Sequence, residues 1–239
     1  MISKFGIASR TQAAQWIAGG RVTLNGRIAR HAEMPVDAKR DRILVDGVPI
    51  AARERIYLML NKPRGVVTTA ADERGRDTVY ALLEGVGLPW LAPVGRLDKA
   101  SEGLLLFTND SEWAARITAP ETHLDKVYHV QVDRLADAAL LAQLQQGIDI
   151  RGERLAVKSV RELRRGEKNA WLEIVLDEGR NRQIRRILAA FGIDVLRLVR
   201  VAIGPLLLGE LPKGGWRHLT AGEAACVNAH QQSLERRRS

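Results

Sequence analysis

The chain has 239 residues, 46% of them hydrophobic, which is enough to fill a real core and excludes a mainly disordered protein. Lys and Arg number 37 against 28 Asp and Glu, a formal charge of +9 with a pI near 10.2, and such a balance favours polyanionic partners. No apolar run approaches the roughly 18 residues of a membrane span, the first residues, Met1–Gly6, lack the long apolar segment of a secretory signal, and the lone Cys226 can form neither an internal disulfide nor a zinc cluster. The expectation is a soluble, cytoplasmic protein.

In chain order, residues 1–50 read as a small unit of their own. Ser9 is placed to cap a helix running through Gln12–Ile17, which Gly19-Gly20 then stops. Arg21–Leu24 alternates like a strand and meets Asn25-Gly26, a two-residue hairpin turn; Ile43-Leu44-Val45 leads into Asp46-Gly47, a second turn of that kind. Eight Lys/Arg face four acids in this unit, which suits either an RNA-facing surface or a solvated capping subdomain. Residues 51–55 are short, polar and unpatterned and are read as a linker.

The remainder, 56–229, interleaves strands and helices. Tyr57–Leu60 reads as a strand broken at Lys62-Pro63, and Asp77 as the cap of a helix through Val79–Leu83. Gly103–Thr108 reads as a buried strand, followed by a helix from Ser111. Lys126–Val132 alternates, with Tyr128, Val130 and Val132 on one face. A helix with Leu140, Leu141 and Leu144 inward ends at Gly147, and strands follow at 170–176 and 195–201. The rhythm favours an α+β fold in which helices flank a large mixed β-sheet. Residues 230–239 read as a basic tail.

Several chemistries are missing. There is no phosphate-binding Gly-rich loop, no dinucleotide fingerprint, no Gly-x-Ser-x-Gly elbow, and the five histidines lack metal-ligand spacing, so a reaction without a cofactor or metal fits better. After Asp177-Glu178-Gly179, Ile184, Ile187, Leu188 and Phe191 form an apolar stripe at helical spacing. Arg182, Arg185 and Arg186 lie off that stripe, with Arg180 just ahead. Arginines at a helix start oppose the macrodipole, so they point to phosphates, to a carboxylate in the same fold, or to a solvated basic face. Asp98 is a loop acid flanked by glycines; on residues alone it is either a turn residue or a catalytic carboxylate. Glu102 reads as a helical neighbour of Asp98 or as surface.

The stretch Gly95-Arg96-Leu97-Asp98-Lys99-Ala100-Ser101-Glu102-Gly103 through Asp110 resembles the signature of the RsuA/RluB-type rRNA pseudouridine synthases. Three further blocks resemble motifs of that family in the expected order: Leu60–Gly65, Lys126-Val127-Tyr128, and Glu178–Arg186. Residues 1–50 are similar to its N-terminal αL module of the S-four type, here starting so near Met1 that its first helix is expected to be shortened. The resemblance implies that Asp98 is the catalytic aspartate, Arg185 its charge partner, and Tyr128 the tyrosine that stacks on the target base. Ile184 and Leu97 would line the base pocket, although periodicity alone makes Ile184 core. Arg96 would enter the stack vacated by a flipped uridine, Arg180 and Arg182 would meet substrate, and Asn61 and Lys62, grouped with the substrate-binding residues, would be structural supports of the active-site loop.

The same resemblance implies isomerisation of uridine with no cofactor. The residues leave open whether the carboxylate attacks C1′, attacks C6 or stabilises charge at the sugar, and the family points to a path through the sugar. Asn181-Arg182-Gln183 and Lys213–Trp216 look more like the large-subunit branch, implying 23S rRNA near the peptidyl-transferase region, free or in an assembly intermediate. A monomer is expected. A small-subunit (16S) target and a non-catalytic RNA-binding or assembly factor are the alternative readings.

Overall fold

The computed structural model describes residues 1–51, 53–69 and 75–227. The expected basic tail lies outside the described residues.

The first unit holds α1 (Arg10–Ala18) and a four-stranded antiparallel sheet of β1 (Val22–Leu24), β2 (Arg27–Ile28), β3 (Ile43–Val45) and β4 (Val48–Pro49), in the order β2-β1-β3-β4. Ser9 caps α1, its Oγ accepting from Gln12 N at 3.0 Å. Both hairpin turns put their Asn or Asp and the following glycine at positive φ, 52° and 81° for Asn25-Gly26 and 50° and 78° for Asp46-Gly47. That pairing of left-handed residues matches the twist of the strands it joins. Ala8, Ala13, Val22, Ala29 and Ile43 form a small separate core. Residues ahead of Ser9 make turns rather than a helix, with Phe5 N donating to Met1 O and Gly6 N to Ser3 O.

The stretch read as an unpatterned linker is pinned at both ends. Arg53 N donates to Phe5 O (3.1 Å), while the Asn109 side chain accepts from Ile56 N and donates to Glu54 O, both at 2.8 Å. Gly6 packs so closely on Asn109 that a Cβ there would stand 2.8 Å from the Asn109 Cβ.

The main sheet comprises β5 (Tyr57–Lys62), β6 (Ala92–Val94), β7 (Glu102–Thr108), β8 (Lys126–Val132), β11 (Ser159–Arg165), β12 (Ala170–Leu176), β13 (Val195–Ile203), β14 (Leu206–Leu207) and β15 (Trp216–His218). The hairpin β9 (Ile148–Ile150) and β10 (Glu153–Leu155) stands apart from it. The central order is β11-β12-β8-β13-β7-β5-β15, antiparallel except where β13 runs parallel to β7. The sheet is therefore mixed, as the interleaved pattern predicts.

Every residue of β7 is buried, because the strand feeds two cores. Leu105 and Phe107 join one cluster with Val130, Leu172, Ile187 and Leu188; Leu104 and Leu106 join another with Trp113, Ile117 and Val227. Burial on both faces explains the unbroken apolar run. α3 (Ala138–Gln146) and α4 (Gln183–Ala190) carry the first cluster and α2 (Ser111–Thr118), capped by Asp110, the second. The expected helix at 79–83 is instead one 3-10 turn at Ala81–Leu83, and Asp77 caps nothing. Val67 N donates to Asp77 O and Val79 N to Val67 O, so a non-local bridge holds residues 77–79 extended.

Candidate active site

Asp98 sits in the connection between β6 and β7, and five successive carbonyls of that connection are held from outside it. Thr68 Oγ1 donates to Leu97 O at 2.8 Å, and Lys62 Nζ donates to Asp98 O at 3.2 Å and Ser101 O at 2.9 Å. Gly65 N donates to Lys99 O at 2.8 Å and Arg185 Nη2 to Ala100 O at 3.0 Å. A loop so fully satisfied has little freedom to move its side chains, which is what a reacting carboxylate requires.

Lys62 is fully buried at the end of β5 and bonds only to carbonyls, Pro63 O included. Burial pushes its ammonium down to about 8, with Asp98 and Glu102 opposing. Asn61 faces away from the cavity and does not line it: its Nδ2 donates to Leu211 O (2.7 Å), and its backbone pairs with Gly214 and Gly215. These bonds make it a tether for the segment carrying Lys213. Glu102 is neither helical nor surface. It begins β7, is 3% exposed, and meets Arg197 at 3.2 Å and Lys213 at 2.5 Å. Burial raises its carboxyl, and hydrogen bonds from Lys213 and Arg197 outweigh that, holding it below the ordinary range.

The arginine segment packs beside this loop because Ile184, Ile187 and Leu188 are buried in the core, with Phe191 partly buried at the helix end. Arg182 adopts a left-handed conformation (φ 48°) at the N-cap of α4, and its guanidinium lies 3.5 Å from Asp98 Oδ2. Arg185, the expected partner, makes no ion pair with Asp98, although it lies close enough for that carboxylate to act on it. It donates to Ala100 O and Val195 O, its Nε is buried without a hydrogen bond, and burial lowers its pKa, with Arg182 adding to that and Asp98 opposing it. Arg180 pairs with Glu178 (2.8 Å) and Glu153 (3.1 Å), and Arg186 also pairs with Glu153. Of the three readings open for these arginines, carboxylates within the fold account for Arg180, Arg182 and Arg186.

Asp98 opens onto a cavity of about 690 Å³ whose wall includes Arg96, Leu97, Tyr128, Arg180, Arg182, Ile184 and Arg185. Eight of the ten residues singled out from the sequence thus line one space, with Lys62 behind it. Tyr128 projects from β8 as alternation predicts and is 9% exposed. Arg96 stands exposed and makes no hydrogen bond or ion pair among the described residues. Lys126 and Arg200 also line the cavity. Both sit in strands, Lys126 within the tyrosine motif and Arg200 in a stretch that reads only as strand. No group of metal-ligating side chains occurs among the described residues.

A rigid loop carboxylate, an aromatic ring and several arginines around one cavity, beside a basic N-terminal unit, define an RNA-modifying enzyme as a class. Residues 56–190 match the RNA pseudouridylate synthase model, and residues 2–43 match the S4 domain model. An uncharacterized RNA pseudouridine synthase of Aquifex aeolicus is 40% identical over 225 residues, covering 94% of this chain and 90% of that protein. The ribosomal large subunit pseudouridine synthase B of Bacillus subtilis is 33% identical over 231 residues, covering 96% and 94%. A crystal structure of a pseudouridylate synthase superposes with a TM-score of 0.67 at 31% identity, covering 95% of this chain and 96% of that one. The chain belongs to the RNA pseudouridine synthase family, in its RsuA/RluB type, with an S4 domain ahead of the catalytic domain. It is an isomerase that converts uridine in RNA to pseudouridine.

Proposed function

We propose that Asp98 is the catalytic carboxylate and that a uridine of 23S rRNA, flipped out of its helix, enters the cavity against Tyr128. The observation that carries this is the Asp98 loop itself: a carboxylate facing the cavity from a segment whose five carbonyls are all engaged. Isomerisation breaks N1–C1′, turns the uracil and rejoins it through C5, and a fixed carboxylate serves that sequence at the sugar. Extruding the base costs a few kcal/mol, which Arg96 offsets by filling the vacated stack from the cavity rim.

The large-subunit target draws on the Bacillus subtilis relative, whose name specifies the ribosomal large subunit. We take residues 1–50 as the RNA-gripping module, 51–55 as its connection and 56–229 as the catalytic domain, acting as a cytoplasmic monomer on free rRNA or an assembly intermediate. The test is tritium release from RNA labelled at uridine C5. Asp98→Asn abolishes release while RNA binding persists; release at the normal rate from that variant overturns the assignment. Pseudouridine mapping of both rRNAs from a deletion strain decides the target, with loss at a 16S position ruling out the large subunit.

A further inference from the structure

Lys126 and Arg200 stand on adjacent strands of the cavity wall. Arg200 lies directly across from Tyr128 in the β8–β13 pairing, and Lys126 is two residues before Tyr128 on the same face. Arg200 is 6% exposed; its Nε donates to Leu104 O at 2.8 Å, and its Nη2 is buried with no hydrogen-bond partner. The Lys126 side chain makes no hydrogen bond or ion pair among the described residues. Burial lowers its pKa and Arg200 lowers it further.

The acids that bear on Lys126 are engaged elsewhere, Asp177 with His123 at 3.2 Å and Asp125 with Lys158 at 2.7 Å. Asp98, matched by Arg182, is not among them. Two neighbouring cations, Arg200 buried and Lys126 partly so, with no carboxylate in an ion pair with either among the described residues, are costly, and a purely structural arginine would have its fork satisfied. Such a pair is arranged for negative charge that arrives with the substrate or develops on it.

We propose that Lys126 and Arg200 form an oxyanion site for a uracil carbonyl oxygen, stabilising the charge that builds on the base during isomerisation. The inference rests on the reading that the target uridine meets Asp98 in this cavity. Breaking N1–C1′ leaves the electron pair on the uracil, spread over N1, O2 and O4. Adding a nucleophile at C6 instead pushes the pair onto O4, and that nucleophile is expelled from C6 when the C5–C6 double bond is restored after C5–C1′ has formed. Either route puts charge on a carbonyl oxygen, so the assignment holds for both. Forming the C5–C1′ bond consumes that pair, the C5 proton leaves to water, and N1 takes up a proton.

The experiment uses the full-length protein and an rRNA transcript that the wild type modifies, under single turnover. Lys126→Met lowers the saturated rate about 100-fold, the loss typical of one oxyanion donor. RNA affinity stays within about twofold, as expected when a donor acts mainly on the transition state. Replacing uridine by 4-thiouridine or 2-thiouridine weakens the acceptor; one of them slows the wild type yet adds little in Lys126→Met. Lys126→Gln repeats the test with a second side chain, and unchanged thermal midpoints show that the fold is intact. An unchanged rate, additive effects of both thio substitutions, or lost RNA affinity with an intact saturated rate overturns the proposal, the last marking a backbone phosphate contact. Asp98→Asn run in parallel separates the two readings: if it is inactive while Lys126→Met is normal, only the oxyanion site fails.

Discussion

Arg182 approaches the Asp98 carboxylate at 3.5 Å, while Arg185, three residues on, grips the Ala100 carbonyl two residues beyond that aspartate. One arginine faces the Asp98 side chain and the other holds the backbone of its loop. The pair therefore divides between charge and position.

That division predicts opposite behaviour on removal. The Arg182–Asp98 pair is half exposed, so Arg182→Ala changes stability by less than about 1 kcal/mol. It weakens RNA binding across sequences and lowers its salt dependence, as for a cation freed to meet phosphate. Arg185→Ala removes hydrogen bonds to two part-buried carbonyls and costs about 1–3 kcal/mol in urea unfolding, along with activity. Equal stability of the two variants would contradict the division.

Lys62 makes a pH prediction. Burial disfavours its ammonium, so the folded protein releases that proton near pH 8 and the unfolded chain near 10.5. Between those values the unfolded chain binds more protons, and the contribution of this group to stability rises with pH. Subtracting the unfolding free energy of Lys62→Met from that of wild type isolates a positive slope across that window; a flat or falling difference overturns the account. Because Lys62 Nζ also holds the Asp98 and Ser101 carbonyls, Lys62→Met lowers tritium release on the order of 100-fold, the scale of a small misplacement at a reacting centre.

Gly103 is where β13 closes on β7. It has φ of +102°, and a Cβ there would stand 2.2 Å from Arg200 O, a backbone atom that cannot yield without shifting the strand. Gly103→Ala therefore costs more than about 3 kcal/mol, combining strain with overpacking. Loss of soluble folded protein, or a thermal midpoint lowered by about 6–12 degrees or more, is the expected outcome. A midpoint near wild type would mean that the two strands are further apart.

What the sequence reveals follows from how local each determinant is. The Asn25-Gly26 and Asp46-Gly47 turns, the Ser9 cap and the α4 stripe each depend on a few neighbouring residues, and all form as the pattern predicts. The helix expected after Asp77 fails because Val67, ten residues earlier, captures that backbone. The motif draws attention to Asp98, but the arginine nearest its carboxylate is Arg182, in a left-handed conformation at the start of α4 that no local pattern announces. Arg200 is hidden in a strand whose alternation reads as core, and only the fold brings it beside Lys126 at the cavity.

Arg96 gives the sharpest test of base extrusion. It is exposed at the cavity rim, unlike Arg185 and Arg200, and no described residue bonds to it, so Arg96→Ala leaves the thermal midpoint unchanged. A residue that fills the space left by a flipped base acts on the extruded state, so its loss slows the saturated single-turnover rate, by about 100-fold if a few kcal/mol of unstacking goes uncompensated. Transcripts with a mismatch opposite the target uridine have already lost part of that stacking energy. They recover much of the Arg96→Ala rate while changing wild type little. Equal losses on paired and mismatched RNA would show that Arg96 contacts the backbone and takes no part in holding the base out.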